Sequence, residues 1–215
     1  MIYLLSDLHG DFSMSGLKEY LSLCDENDLL IILGDIGLAF ENTELNRKFT
    51  DSFLAIDKKI AFVDGNHENF DYLYSFPEEE WNGGQVHRLT ENIVHLKRGY
   101  IYTIEEKTFF VFGGCKSSAK WKEMGLWYPQ EEPGDEEYIR AYQNLQKLDF
   151  KVDYVLTHKY TKSSEPCSSM LELQALTDFI DDRVKFKRWY AGHWHQNRRI
   201  DEKHILVYDK LHMLE

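Results

Sequence analysis

Ile2-Tyr3-Leu4-Leu5-Ser6-Asp7-Leu8-His9-Gly10 sets a short apolar run directly before an acid and an imidazole two positions apart. Such a run, closed by a polar turn and a glycine, reads as a buried strand that hands its next side chains to the rim of a sheet. The arrangement recurs. Residues 29–33 precede Gly34-Asp35, residues 60–63 precede Gly65-Asn66-His67-Glu68, residues 155–157 precede His158, and residues 189–191 precede Gly192-His193-Trp194-His195. Polar groups placed repeatedly at strand exits converge on one rim, where α/β proteins put their sites.

Outward from these runs, a capping-type residue, Asp11 or Ser13, opens a helical spacing that continues to Leu23, and residues 42–56 read similarly. The first part of the chain is therefore expected to run βαβαβ. From Gln85 the character becomes β-rich: residues 86–89, 93–96, 100–104 and 108–112, the last two a hairpin through Glu105-Glu106-Lys107. A second sheet is expected to begin at Gln85. Residues 116–137 carry Trp121, Trp127, Tyr128, Pro129 and Pro133 with little periodicity, which predicts a long ordered loop or lid at about 115–137. Helices are expected over 137–148 and 170–179, and strand-like runs at 198–200 and 205–208.

Two hundred and fifteen residues with 43% hydrophobic content suit one domain over 1–215 with a sizeable core. Met1 leads straight into a strand-like run, and no apolar stretch approaches bilayer length, so a cytoplasmic protein without a membrane partner is expected. Cys24, Cys115 and Cys167 are widely spaced and read as reduced thiols. A net charge of −12 disfavours nucleic acid as a partner.

The residue types at the rim belong to metal chemistry. Asp7 and His9, two apart in a strand, can grip one ion. Asp35 has lone pairs enough to bridge two ions. Asn66 offers a neutral oxygen, and His158, His193 and His195 add imidazoles, a set suited to Mn, Fe, Zn, Co or Ni rather than Ca, with manganese the leading expectation. Two divalent ions against Asp7, Asp35 and a bridging hydroxide leave the pocket at about +1, which favours an anion; paired ions suit in-line attack on phosphorus.

Asp-x-His, Gly-Asp, Gly-Asn-His-Glu, a lone His and Gly-His-x-His, in this order, resemble the calcineurin-like metallophosphoesterases over nearly the whole chain. The resemblance implies an α/β fold, a four-layer αββα sandwich of two mixed sheets flanked by helices. It implies that Asp7, His9, Asp35 and His195 hold one metal and Asp35, Asn66, His158 and His193 the other, with His67 stabilising the transition state or protonating the leaving oxygen. The protein serine/threonine phosphatase branch follows its Gly-Asp with a second Asp and an Arg, whereas this chain reads Gly34-Asp35-Ile36-Gly37-Leu38-Ala39-Phe40. Asp64, Glu68 and Asp11 are candidates to orient His67, and Lys159, Arg198 and Lys116 to reach a phosphate. Asp11 and Glu68 also read as helix caps. The expected substrate is a small phosphomonoester or phosphodiester, nucleotides included. Nuclease or protein phosphatase action is the alternative, and a non-catalytic interaction module is the remote one.

His87, His95, His204 and His212 lie outside the motifs and read as surface or strand-face residues. Trp81, Trp121, Trp127 and Tyr128 read as pins holding a loop to the body, with a lid stacking on a nucleobase as the alternative. The acidic runs 77–80 and 131–137 read as solvated faces.

Overall fold

The computed structural model describes residues 1–11, 16–161 and 170–215. In chain order the elements are β1 (Ile2–Leu5), α1 (Leu17–Leu23), β2 (Leu29–Leu33), α2 (Glu44–Leu54), β3 (Lys59–Val63), α3 (Phe70–Leu73), β4 (Glu78–Trp81), β5 (Gly84–Arg88) and β6 (Ile93–Leu96). The second half continues with β7 (Ile101–Ile104), β8 (Lys107–Phe112), α4 (Ala119–Glu123), α5 (Asp135–Lys147), β9 (Tyr154–Thr157), α6 (Leu171–Arg183), β10 (Arg188–Ala191), β11 (Arg198–Arg199), β12 (His204–Leu206) and β13 (His212–Met213).

Among the described residues the strands form a seven-stranded sheet, β13-β1-β2-β3-β6-β5-β4, and a six-stranded sheet, β11-β12-β10-β9-β8-β7. Each has a parallel centre, β1-β2-β3-β6 in one and β12-β10-β9-β8 in the other, with antiparallel strands outside. The period-two alternation of a strand decides the layers. In β2, Leu29, Ile31 and Leu33 join Val111, Leu156 and Tyr190 of the other sheet. Leu30 and Ile32 face outward to Tyr20 of α1 and to Phe49 and Phe53 of α2. In β8, Phe109 and Val111 face inward while Phe110 and Phe112 pack on Ala141 and Leu145 of α5 and on Leu173, Leu176 and Ile180 of α6. The result is the four-layer αββα sandwich of two mixed sheets.

Helix α2 starts where Thr43 Oγ1 accepts from the Asn46 amide (3.1 Å), and α5 where the Glu137 carboxylate accepts from Gly134 N (2.9 Å). Both helices present apolar residues four apart to their sheet, Phe49 with Phe53 and Ala141 with Leu145.

Several sequence expectations are corrected. The second sheet begins at Ile101, not at Gln85, because β6 pairs in parallel with β3 (Ile60 opposite Ile93) and carries β5 and β4 with it into the first sheet. Ile93 packs toward the helices and Val94 and Leu96 toward the other sheet, so β6 needs cover on both faces. Helix α1 starts at Leu17 after Gly16, with no side-chain cap, so Asp11 does not cap it; Ser13 lies outside the described residues, as does Cys167. Residues 78–80 are exposed, as a solvated face is, yet they form β4, an edge strand whose charges discourage pairing with another chain. His87, His95, His204 and His212 sit on strands, in line with the strand-face reading, and the first three are buried, which removes the surface reading for them. Cys24 and Cys115 are free and buried. No helix among the described residues is long and apolar enough to cross a membrane.

Candidate metal centre

All five motifs leave the C-terminal ends of parallel strands: Asp7 and His9 after β1, Asp35 after β2, Asn66 and His67 after β3, His158 after β9, His193 and His195 after β10. The two sheets share this rim. There the backbone departs from strand geometry: Asp7 (φ 58°), His9 (φ 49°), Asp35 (φ 53°), His193 (φ 67°) and His195 (φ 50°) are left-handed. Asp7 and His9 therefore come together through two left-handed residues beyond the strand, not through strand alternation as the spacing suggested. Such conformations cost on the order of 1–3 kcal/mol each and persist only where the surroundings over-determine them.

Two glycines make room. A Cβ on Gly65 would lie 2.0 Å from Asp35 Oδ1, and one on Gly34 (φ +94°) would lie 2.3 Å from His158 Nδ1.

The side chains gather in two overlapping groups. Asp7 Oδ1 is 3.3 Å from His195 Nε2 and 3.9 Å from His9 Nε2, and the two imidazole nitrogens are 2.9 Å apart. On the other side, His158 Nε2 lies 3.4 Å from Asp35 Oδ1, 3.3 Å from Asn66 Oδ1 and 3.3 Å from His193 Nδ1. Asp35 stands between them, with Oδ2 3.7 Å from His9 Nε2 and Oδ1 accepting from the His67 amide (2.8 Å). His67 also approaches His9 and Asp35 closely enough to offer a ligand atom beside them.

The donor chemistry fits a cation. Among the described residues the buried Asp7 Oδ1 has no hydrogen-bond partner of good geometry, with His195 Nε2 3.3 Å away. A buried carboxylate oxygen without a donor is costly unless something positive faces it. His158 Nδ1 donates to the Leu33 carbonyl (2.8 Å), which leaves Nε2 with a bare lone pair pointing into the group. Burial, then His158 and Lys159, push His193 down to about 2, and burial also lowers His9, so both present neutral rings. Burial opposes ionisation of Asp35, but the imidazoles of His158, His67 and His9 and the His67 amide outweigh it and hold the carboxyl at about 2. Asp7 beside it raises His195.

Supporting residues escaped the sequence reading. Asn66 Nδ2 donates to Ser117 Oγ (3.0 Å), and the buried Glu131 carboxylate accepts from Ser117 N (2.6 Å) and Oγ (2.8 Å). This chain turns Asn66 Oδ1 toward His158. Ser117→Ala is expected to lose roughly 10- to 100-fold in metal affinity, the usual cost of removing a group that orients a ligand, with Ser117→Thr recovering most of it. Metal titration of the purified variants checks it, and an unchanged affinity for Ser117→Ala would deny Asn66 its oriented role.

The candidates to orient His67 are spent elsewhere. Asp64 takes His95 Nε2 (3.0 Å) and Arg98 Nε (2.8 Å), all three buried under the rim, and Arg98 also reaches the half-buried Glu137 (3.0 Å). Glu68 is no cap for α3, which Asn69 caps; its carboxylate accepts from Ile36 N (3.0 Å) and Gly37 N (3.2 Å) and so holds the Asp35 turn. Burial and the nearby Asp35 push Glu68 well up. Among the described residues nothing hydrogen-bonds the His67 ring. It is held by rings: Trp121 at 4.4 Å, His9 at 5.0 Å and Phe40 at 5.2 Å between centroids. Asp11 borders the cleft beside His9. Of the residues expected to reach a phosphate, Lys116 pairs with Glu132 (3.0 Å), Lys159 is buried toward Met170 and Trp194, and Arg198 is exposed on β11. Tyr128 meets Phe70, as a pin does, whereas Trp127 stacks under Lys122 of its own segment and Trp121 stands at His67.

Two sheets with parallel centres and, on their shared rim, an Asp/His/Asn cluster fit for cations define an α/β sandwich with a candidate metal centre at its rim. A family model described as calcineurin-like phosphoesterase matches residues 1–197, and the chain belongs to that family. Metal-dependent phosphoester hydrolysis is the chemistry of that family. Among curated proteins none matches the chain.

Proposed function

We propose that the chain is a cytoplasmic, single-domain enzyme spanning residues 1–215 that hydrolyses small phosphomonoesters or phosphodiesters, nucleotides included, with two divalent transition-metal ions, manganese first among them. The unpartnered, buried Asp7 Oδ1 facing His9 and His195 is the observation that carries the reading. On it, Asp7, His9, Asp35 and His195 hold one ion and Asp35, Asn66, His158 and His193 the other. Bound there, the ion pair supplies Lewis acidity to the phosphoryl oxygens and activates water at neutral pH.

The chain's own groups do the rest. Asp35 stays ionised and places its charge between the two groups, His193 offers a lone pair at any physiological pH, and His158, whose Nδ1 donates to the Leu33 carbonyl, turns Nε2 into the group. Burial lowers His67 while the charges of Asp35 and Asp7 pull it part of the way back up; the imidazolium would give its proton to the leaving oxygen and become the neutral ring, which can offer that oxygen only a hydrogen bond. Phe40 and Trp121 fix that ring and keep water from one side of it. With Ile36-Gly37 where a protein phosphatase has its acid and arginine, and with Lys116 and Lys159 engaged elsewhere, little supports phosphoprotein as substrate.

Protein purified without chelator and reconstituted is expected to take two ions per chain by elemental analysis, and to hydrolyse chromogenic mono- or diesters with Mn²⁺ until chelated. Saturation at one ion would remove the two-metal assignment, and hydrolysis insensitive to chelation would remove the metal from the reaction.

A further inference from the structure

A cleft of about 430 Å³ opens beside His9, His67 and His195, on the side away from Asn66 and His158. It is large enough for the organic part of a small ester. Its walls are two rings: Phe40, buried, and Trp121, half-buried, 6.2 Å apart between centroids and both edge-on to His67. Trp121 belongs to α4, a five-residue helix with no buried residue, so this indole is not there to fill a core. What places it is the segment behind it: Ser117 is tied to Asn66 and to the buried Glu131, which sets the start of α4 relative to the metal ligands.

The charge of the lining is one-sided. Asp11 and Glu41 contribute carboxylates, and among the described lining residues there is no lysine or arginine. The neutral polar groups are partly used: Asn46 Nδ2 donates to the Gly37 carbonyl (2.8 Å), Asn46 Oδ1 accepts from Glu41 N (3.3 Å), and Thr43 Oγ1 accepts from Asn46 N (3.1 Å). A phosphate on the far end of a substrate would find two carboxylates and neither lysine nor arginine among these residues, only the Thr43 hydroxyl and one Asn46 N–H, whereas a flat ring would find an indole and a phenyl ring beside the group assigned to the leaving oxygen.

We propose that this cleft takes the leaving group of the substrate and selects a flat, uncharged or cationic ring bearing no second phosphate, with Trp121 and Phe40 as the residues that set that preference. The proposal rests on the phosphoesterase reading above and narrows it. Nucleoside monophosphates and aryl phosphates share this chemistry; glycerol phosphate lacks the ring and nucleoside bisphosphates carry the extra charge.

The test compares kcat/KM of the Mn²⁺-loaded enzyme on adenosine monophosphate, an aryl phosphate, glycerol phosphate and adenosine 3′,5′-bisphosphate. A preference of about tenfold or more for at least one ring ester over glycerol phosphate and over the bisphosphate is expected; which ring ester wins separates nucleobase from aryl selection. In Trp121→Ala the ring preference should fall by roughly 10- to 100-fold, the range that aromatic stacking on a base supplies, and Trp121→Phe should recover most of it. Glu41→Gln should narrow the penalty on the bisphosphate. Independently of turnover, adenosine or phenol should quench the tryptophan fluorescence of the metal-free protein, and less so in Trp121→Phe. Equal rates on ring and aliphatic esters, or a preference unmoved in Trp121→Ala, would overturn the proposal. If no ester were hydrolysed the phosphoesterase reading would fail, and the fluorescence titration would still decide whether the cleft binds a ring.

Discussion

Asp35→Asn is expected to purify with less metal than the parent protein and to lose at least about 10³-fold in kcat/KM, some 4 kcal/mol of transition-state stabilisation. Two divalent ions about 4 Å apart repel by on the order of 15–20 kcal/mol even at an effective dielectric constant of 20, and a carboxylate placed between them offsets part of that. The amide removes the charge and does a second harm. Because Asp35 Oδ1 accepts from the His67 amide at 2.8 Å, the asparagine must turn its oxygen there and aim its NH₂ at His9, where a lone pair is wanted. Elemental analysis and kinetics on the same preparation decide. A variant that kept two ions and a rate within tenfold of the parent would show that Asp35 is not shared.

His67→Ala is expected to keep its metal and to lose about 10²- to 10⁴-fold in kcat, the span of general acid catalysis. The deficit should be smaller for an ester with a good leaving group such as p-nitrophenol than for an alkyl ester, since only the second needs a proton as it departs. The outcome separates two roles that the geometry leaves adjacent. His67 stands close enough to His9 and Asp35 to ligate, yet its ring is wedged by Trp121 and Phe40 and carries no hydrogen bond among the described residues. Loss of metal from a folded His67→Ala protein would make it a ligand and leave the leaving-group role empty.

How far the residues announce this arrangement depends on the range of the interaction involved. Strand runs followed by Asp, Asn or His are local signals, and they lead to the rim where Asp7, Asp35, Asn66, His158 and His193 meet. The left-handed backbone of Asp7, His9 and Asp35 has only a faint local mark, because Asp and His enter that region more readily than most residues but still do so in a small minority of cases. Ser117 is invisible for a different reason. It lies 51 residues from the Asn66 it orients, in a segment without periodicity, and its value depends on Glu131 being buried beneath it. Sequence distance also hid the use of Asp64, which reads from the sequence as a neighbour of His67 but turns away to His95 of β6 and to Arg98 just beyond it. The sheet to which β5 and β6 belong was equally hidden, since short apolar strands carry no label of their partner and the pairing of Ile60 with Ile93 is a tertiary choice.

The rim draws on both sheets, and His9 and His195, whose ring nitrogens nearly touch, are separated by 186 residues of chain. During synthesis at roughly 5–20 residues per second, about 10 to 40 s pass between the emergence of one and of the other. For that interval a nascent chain can show Asp7, His9 and Asp35 to the cell while no imidazole from β9 or β10 exists to complete either group. On the proposed assignment, a cation caught then would be held by a fragment of its ligand set, and the full set would exist only once the last strands close over the rim.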